Sequence, residues 1–163
     1  MTALTDDMKR VVREQRLGYV ATVSADGHPN VSPKGSLTVW DDDHLMFADV
    51  ESPGTIKNIA TNENTEVNVV DPRVRKGYRF RGRAKILRSG PDYWKAIEHY
   101  KKEGADVRRV RTIVMIDVIH AAPLISPAYL TGLTEREIGA LWDEFHTQLS
   151  KRTVLDLIPP NDF

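Results

Sequence analysis

Short segments in which hydrophobic and polar residues alternate dominate the first half of the chain. Four of them, rich in β-branched or aromatic residues, span residues 19–24, 29–33, 37–40 and 44–48. The Asp26-Gly27 pair supplies the positive φ that favours a hairpin, and Asp41 to Asp43 form a second turn. The pattern predicts a meander of antiparallel strands, which continues at residues 67–70, 78–87 and 112–118.

Helical spacing of apolar residues and capping signals predict four helices. They span about residues 5–16, 53–60, 91–102 and 134–149. Ser52 followed by Pro53 is a typical helix start, and Thr134 begins a capping box. We expect residues 121–129, which hold two prolines, to be irregular, and the tail from residue 151 to be extended.

These elements fit one domain over residues 1–163. In it an N-terminal helix (1–16) and a C-terminal helix and tail (133–163) flank the strands. A chain of this length can bury a core without disulfides or metals. Many short strands with tight turns favour a closed barrel with peripheral helices. We therefore predict a mainly β fold with peripheral α-helices.

The composition excludes several classes of function. The 23 basic and 23 acidic side chains balance, which argues against a nucleic-acid partner. The chain has no cysteine, and its five histidines form no short metal-ligand pair, so no metal site is predicted. No apolar run approaches the ~18 residues of a membrane span, and the N-terminus lacks the apolar region of a secretory signal. We expect a cytoplasmic protein with no membrane partner.

One segment has the composition of an anion site. Ser52, Gly54 and Thr55 lie at a predicted helix start, where free backbone N–H groups and the helix dipole favour a phosphate. Lys57 adds a cation further along the same helix. Ordinary helix capping with a solvated lysine explains the same residues and is the more common arrangement.

A second segment, from Ser32 to Ser36, places Lys34 between Pro33 and Gly35. Proline cannot donate to a sheet ladder, and glycine allows other atoms to approach the backbone closely. A flat ring could therefore lie against the main chain at this point. The alternative is an edge strand with a bulge.

The two segments belong to a longer pattern. In order, it contains His28–Gly35, the turn Asp41–Asp43, the strand Leu45–Asp49, the helix Thr55–Ile59 and the strand Tyr78–Ala84. In order and spacing, the chain resembles the FMN-binding split-barrel family that includes pyridoxamine 5′-phosphate oxidase. The resemblance covers about residues 17–87 and rests on the five segments together, since none is specific alone.

The resemblance implies a homodimer of split β-barrels with FMN at the interface. Lys57 matches the phosphate-binding lysine, Ala48 and Asp49 match the strand that passes the ribityl and phosphate groups, and Lys34 is expected to stabilise the reduced ring. The other subunit is expected to complete the site with the loop 75–79. The implied cofactor-binding residues are Ser32, Pro33, Lys34, Gly35, Ser36, Ala48, Asp49, Ser52, Thr55, Lys57, Tyr78 and Arg79.

The chain also departs from the true oxidases. Ser32 and Ile56 stand where those enzymes carry arginines, and Lys34 could compensate for the lost phosphate charge. The Arg- and His-bearing segment that holds pyridoxal phosphate has no counterpart; Ser126 to Tyr129 stand there instead. The resemblance thus implies an FMN-dependent oxidoreductase with a small-molecule substrate other than vitamin B6. The alternatives are a barrel that binds haem or a deazaflavin, and a regulatory dimer without catalysis.

Overall fold

The fold was analysed in a computed structural model that describes residues 4–151. Seven strands and four helices follow one another in the order predicted. They are α1 (Asp6–Gln15), β1 (Gly18–Val23), β2 (Pro29–Lys34), β3 (Thr38–Val39), β4 (His44–Asp49), α2 (Pro53–Thr61), β5 (Asn64–Asp71), β6 (Lys76–Leu87), α3 (Pro91–Lys102), β7 (Thr112–Ile125) and α4 (Glu135–Ser150). The predicted mainly β fold with peripheral helices is confirmed. The expectation for the tail beyond residue 151 lies outside the described residues.

All seven strands form one antiparallel sheet in the order β2-β1-β5-β6-β7-β4-β3. The two edge strands, β2 and β3, are consecutive in the chain, and only Gly35, Ser36 and Leu37 connect them. Such a link spans at most about 15 Å. The sheet must therefore curl until its edges approach each other, which gives the half-barrel of a split-barrel fold.

The concave side of the sheet holds the main core. Val20, Phe47, Phe80 and Ile116 are fully buried there, and α1 packs against the same cluster with Val11 and Val12 among its buried residues. Alternation along each strand directs every second side chain inward.

The other face of β4 is also buried. Met46 and Ala48 pack with Ala96, Ile97 and Tyr100 of α3 in a second cluster. The strand is therefore apolar on both faces, as its run of buried residues requires. Burial on both sides fixes the position of Asp49 at the end of this strand.

Contacts within the chain divide it into two compact units. Within the described residues, the first contains residues 4–70 and 77–124, and it holds both hydrophobic clusters. The second contains residues 71–76 and 125–151. In the second unit the guanidinium of Arg75 lies over the ring of Trp142 at 3.5 Å, and Tyr129 donates a hydrogen bond to the carbonyl of Val74 at 2.6 Å. The prediction of one domain stays a prediction.

The prediction that residues 121–129 are irregular is wrong in its first half, since β7 continues to Ile125. Pairing with β4 ends at Asp117, so the later part of the strand no longer borders β4. Pro123 lies in that later part, where its missing N–H removes no bond to β4. Pro127–Thr131 then form a 3-10 turn.

None of the helices within residues 4–151 is both long and apolar enough to span a membrane. The cytoplasmic location stays a prediction.

Gly82 provides a test of the sheet packing. A Cβ at this residue would collide with the backbone carbonyl oxygen of Asp117 on β7 and would lie 2.8 Å from the Ile116 side chain. We expect Gly82→Ala to lower the free energy of unfolding by about 1–3 kcal/mol, because the neighbouring strand must move. Urea unfolding measures this change. Gly54→Ala is the control, since a Cβ there meets nothing within 4 Å; an equal loss in both variants would contradict the packing argument.

Candidate functional site

The first turn of α2 is open at its N-terminus. Ser52 occupies the N-cap position, as predicted, but its side chain does not cap the helix. The first intrahelical bond is the one from Ile56 N to Ser52 O. Since Pro53 has no N–H, the backbone donors left over in this turn are those of Gly54 and Thr55. They are free for an anionic ligand.

Lys34 lies at the inner end of β2 and is only 4% exposed. Its Nζ donates to the Oγ of Ser32 at 2.6 Å and to the Oγ of Ser52 at 2.6 Å. The ammonium also lies 5.5 Å from the centre of the Phe47 ring. Burial lowers the pKa of Lys34, and attraction to the carboxylate of Asp49 opposes that shift.

Asp49 ends β4 close to this lysine. The residue is 5% exposed, and its Oδ1 has no hydrogen-bond partner among residues 4–151. A buried carboxylate oxygen without a donor is costly in a folded protein. A ligand with a hydroxyl or N–H donor at this point would satisfy it.

Hydrogen bonds from neighbouring residues hold these groups in place. Asn58 of α2 donates from Nδ2 to the Oγ1 of Thr22 on β1 at 3.0 Å, and both residues are buried. Ser36 Oγ donates to the carbonyl of Ala48 at 2.9 Å and accepts from the N–H of Ala48 at 3.0 Å. The helix and the loop after β2 are thus each fixed to the sheet.

Two glycines leave space next to these groups. A Cβ at Gly35 or at Gly54 would meet nothing within 4 Å. The protein's own packing therefore does not require glycine at either position. The space is available to a ligand that approaches the backbone closely.

The structure brings together some of the residues that the sequence analysis selected and separates others. Lys34, Ser32, Ser52 and Asp49 form one cluster, which we call the Lys34 cluster; Lys34 and Asp49 are buried, and the two serines are half-buried. Buried Thr55 follows it on α2. The structure thus connects Lys34, predicted for the ring, with residues predicted for the phosphate.

Other predicted residues lie outside the Lys34 cluster. The Lys57 side chain is on the exposed face of α2, and Pro33 is exposed on β2 opposite Tyr19. Tyr78 donates to Asp7 at 2.6 Å, and Arg79 pairs with a glutamate of β5 at 3.0 Å. Their predicted role in completing the partner's site stays a prediction.

Two features of the site were not identified from the sequence. Asn58 was not selected, although its spacing of three residues from Thr55 puts both on one helical face. Phe47 lies in the predicted strand Leu45–Asp49 and has no chemical signal of its own in the sequence, but its ring lies under the Lys34 ammonium. Residues 4–151 hold no group of three or more His, Asp or Glu placed to bind a metal ion.

Known proteins that are similar to this chain have the same fold. The family model described as pyridoxamine 5′-phosphate oxidase matches residues 4–123. The chain is similar to the crystal structure of HupZ from Group A Streptococcus, with 33% identity, a TM-score of 0.67, and coverage of 75% of this chain and 94% of that one. No curated protein sequence matches significantly.

More distant structures share the fold alone. An FMN-binding protein from Syntrophomonas wolfei has 14% identity and a TM-score of 0.61, with coverage of 74% of this chain and 85% of that one. HutZ, the heme storage protein from Vibrio cholerae, has 14% identity and a TM-score of 0.58, with coverage of 76% and 94%. Proteins named for two different cofactors thus have this fold.

Stability as a function of pH tests the environment of Lys34. Its pKa in the folded protein lies below the ordinary 10.5, so between those two values the unfolded chain binds more protons. We expect the free energy of unfolding of the unliganded protein, relative to Lys34→Met, to rise with pH in that window, by up to about 1.4 kcal/mol per pH unit.

Chemical denaturation of the wild type and of Lys34→Met, from neutral pH to pH 10.5, measures this difference in the free energy of unfolding. Lys85→Met is the matched control, because Lys85 is exposed on β6. A pH-independent difference between the wild type and Lys34→Met would contradict the burial of the ammonium.

Proposed function

The chain belongs to the pyridoxamine 5′-phosphate oxidase family, and from that premise we propose that it is an FMN-dependent oxidoreductase whose substrate is a small molecule other than vitamin B6. The observation that carries this proposal is the Lys34 cluster. It combines a buried cation, an open helix N-terminus and a buried carboxylate oxygen that lacks a donor.

The phosphate of FMN fits the open end of α2. The N–H groups of Gly54 and Thr55, the hydroxyl of Ser52 and the ammonium of Lys34 are donors of the kind that a phosphate requires. The buried Lys34 takes over the charge that the true oxidases supply with arginines at the positions of Ser32 and Ile56. We therefore assign Lys34 to the phosphate rather than to the ring.

Asp49 favours a flavin over haem. The ribityl chain of FMN carries hydroxyl groups, which can donate to the free Oδ1 of Asp49. Haem propionates carry only acceptors and would be repelled by that carboxylate. No histidine belongs to the Lys34 cluster, so this part of the described chain offers no imidazole as an axial ligand.

When bound, FMN supplies the hydride and electron chemistry. The chain supplies binding and orientation. Lys34 and the first turn of α2 hold the phosphate, and Asp49 holds the adjoining chain of hydroxyls. The open backbone at Gly35 admits the edge of the ring.

The outer face of β1 and β2 supports a homodimer. Tyr19, Val23 and Val31 are 49%, 37% and 62% exposed on it. In the register of the two strands, Tyr19 lies opposite Pro33 and Val31 opposite Ala21, so the patch is continuous. An apolar patch of this kind on an edge of a sheet is typical of an interface.

We propose a second copy of the chain as the occupant of this face. Asn68, which pairs with Tyr19, has a buried Oδ1 without a partner among residues 4–151. A donor from the second copy would satisfy it. Since β2 also carries Lys34, an interface on this strand brings the partner close to the cofactor site.

A comparison of FMN with riboflavin tests the phosphate assignment. Riboflavin has the same ring and ribityl chain but no phosphate. We expect Lys34→Met to weaken FMN binding by about 1.5–3 kcal/mol, the size of a charged hydrogen bond, and to change riboflavin binding much less. Flavin fluorescence titration gives both dissociation constants. Lys85→Met is the control, and an equal loss for both ligands would refute the assignment.

Lys57→Ala tests the sequence-based assignment in the same titration. Because the ammonium of Lys57 is exposed, water screens its attraction to the phosphate, and we expect a loss of under about 1 kcal/mol. A larger loss would make Lys57 the main phosphate ligand.

A purified protein that shows a Soret band and does not bind FMN would establish the haem alternative.

Val31→Arg tests the dimer. A charge in the centre of the apolar patch should convert a dimer to a monomer in size-exclusion chromatography with light scattering, and it should weaken FMN binding. Leu130→Arg is the control, since Leu130 is 88% exposed in the other unit. A variant that stays dimeric would place the interface elsewhere.

A further inference from the structure

A cavity lies beside the loop that joins the two edges of the sheet. Its volume is about 360 Å³. The residues that matter for its chemistry are Arg13 and Arg16 of the α1 end, Gly35 and Ser36 of the loop, and Tyr100 and Glu103 of the α3 end. All of them belong to the first compact unit.

The cavity has an excess of positive charge. Arg13 forms no ion pair within residues 4–151, and Arg16 approaches Glu103 no closer than 3.8 Å, which is too long for a hydrogen bond. Two guanidinium groups therefore face one carboxylate. Guanidinium groups suit carboxylate and phosphate oxygens because they can bind them in a bidentate fashion.

The loop adds backbone donors. The N–H of Leu37 bonds to the carbonyl of Lys34 at 3.4 Å, and this closes a turn around Gly35 and Ser36. The two central N–H groups of such a turn take no part in its closing bond. Tyr100 is buried and donates to the carbonyl of Ser36 at 2.8 Å, which fixes the turn.

Arg16 has an unusual backbone conformation for its residue type. It caps α1 with φ 52° and ψ 16°, in the left-handed region that favours glycine. Because glycine would fit this conformation without strain, the presence of an arginine side chain here points to a role for that side chain. At this position the guanidinium lines the cavity.

We propose that this cavity binds the anionic group, a carboxylate or a phosphate, of the small-molecule substrate. Arg13 and Arg16 bind its oxygens, and the charge of Glu103 weakens binding so that the product can leave. The inference rests on the proposed function, because Gly35 and Ser36 also belong to the predicted cofactor segment. A substrate anchored here is held next to the flavin.

The test uses the FMN-loaded full chain, so that the Lys34 cluster is already occupied. Inorganic phosphate and acetate are titrated by nuclear magnetic resonance, following the amide signals of Gly35 and Ser36. We expect at least one anion to shift both signals at saturation. The anion that binds more tightly tells whether the substrate carries a phosphate or a carboxylate, and either result supports the proposal.

Substitutions then assign the charges. Arg13→Gln and Arg16→Gln should each weaken binding of the preferred anion by up to about fivefold, because both guanidinium groups are exposed and water screens part of their attraction. Glu103→Gln should tighten it severalfold, which no purely structural role predicts. Arg10→Gln, on the same helix but outside the cavity, should leave it unchanged. Unchanged affinity in both cavity variants, or weaker binding in Glu103→Gln, would overturn the proposal.

Arg16→Gly separates ligand binding from folding. Glycine relieves the left-handed backbone, so the melting temperature should rise while anion binding falls. A fall in both would make Arg16 a structural residue and count against the proposal. If the wild type does not bind FMN, the proposed function fails on its own. The same titration on Lys34→Met, which lacks the buried cation of the Lys34 cluster, still decides whether the cavity binds anions.

Discussion

The position of one buried ammonium group depends on three parts of the chain at once. Lys34 ends β2 and donates to Ser32 on the same strand, but it also donates to Ser52 at the start of α2. The opposing charge is Asp49 at the end of β4. A lysine this deeply buried is unfavourable without such partners. The burial therefore couples the edge strand β2 to α2 and to β4. It also explains why Ser52 leaves the helix uncapped, since its hydroxyl already accepts from Lys34, and an uncapped helix start is what an anionic ligand needs.

Because the sheet curls, the charged groups of both candidate sites lie near one loop. Because β2 and β3 are both edges and only three residues connect them, the loop Gly35-Ser36-Leu37 lies where the half-barrel closes upon itself. Lys34 directly precedes this loop in the chain, and the arginine-lined cavity lies beside the loop. Ser36 is bonded to Ala48 and Tyr100 to Ser36, so the loop is fixed to β4 and α3. A loop that is held from both sides can position a cofactor and a substrate relative to each other, which a mobile loop could not do.

The order of the elements and most of their bounds could be predicted from the sequence, because proline, glycine and capping residues mark them locally. The helix start at Ser52-Pro53 is an example. The partner of the Ser52 side chain could not be predicted, since it depends on a residue eighteen positions earlier in the chain. The exposure of Lys57 could have been predicted from the sequence, because positions 55 and 57 of a helix lie on different faces and Thr55 is on the buried one. Nothing in the sequence marks Arg13 and Arg16 as ligand-binding residues, because they line the cavity only when α1 packs against the curled sheet. The later part of β7 could not be predicted, because its proline argues against a strand in the sequence. The proline is compatible with the strand in the fold, since that part of β7 no longer borders β4.

The separation of the positive charges favours a two-ligand protein over a simple cofactor store. Lys34 is buried and bonded to two hydroxyl groups, whereas Arg13 and Arg16 are exposed at the end of α1 and both line a cavity. A protein that only stored a cofactor would need one such group. The buried cation suits a ligand that stays, because water does not screen it and its desolvation is already complete in the folded protein. The exposed pair, weakened by Glu103, suits a ligand that must enter and leave. This division between a retained and an exchanging anion agrees with the proposed FMN-dependent enzyme acting on an anionic substrate.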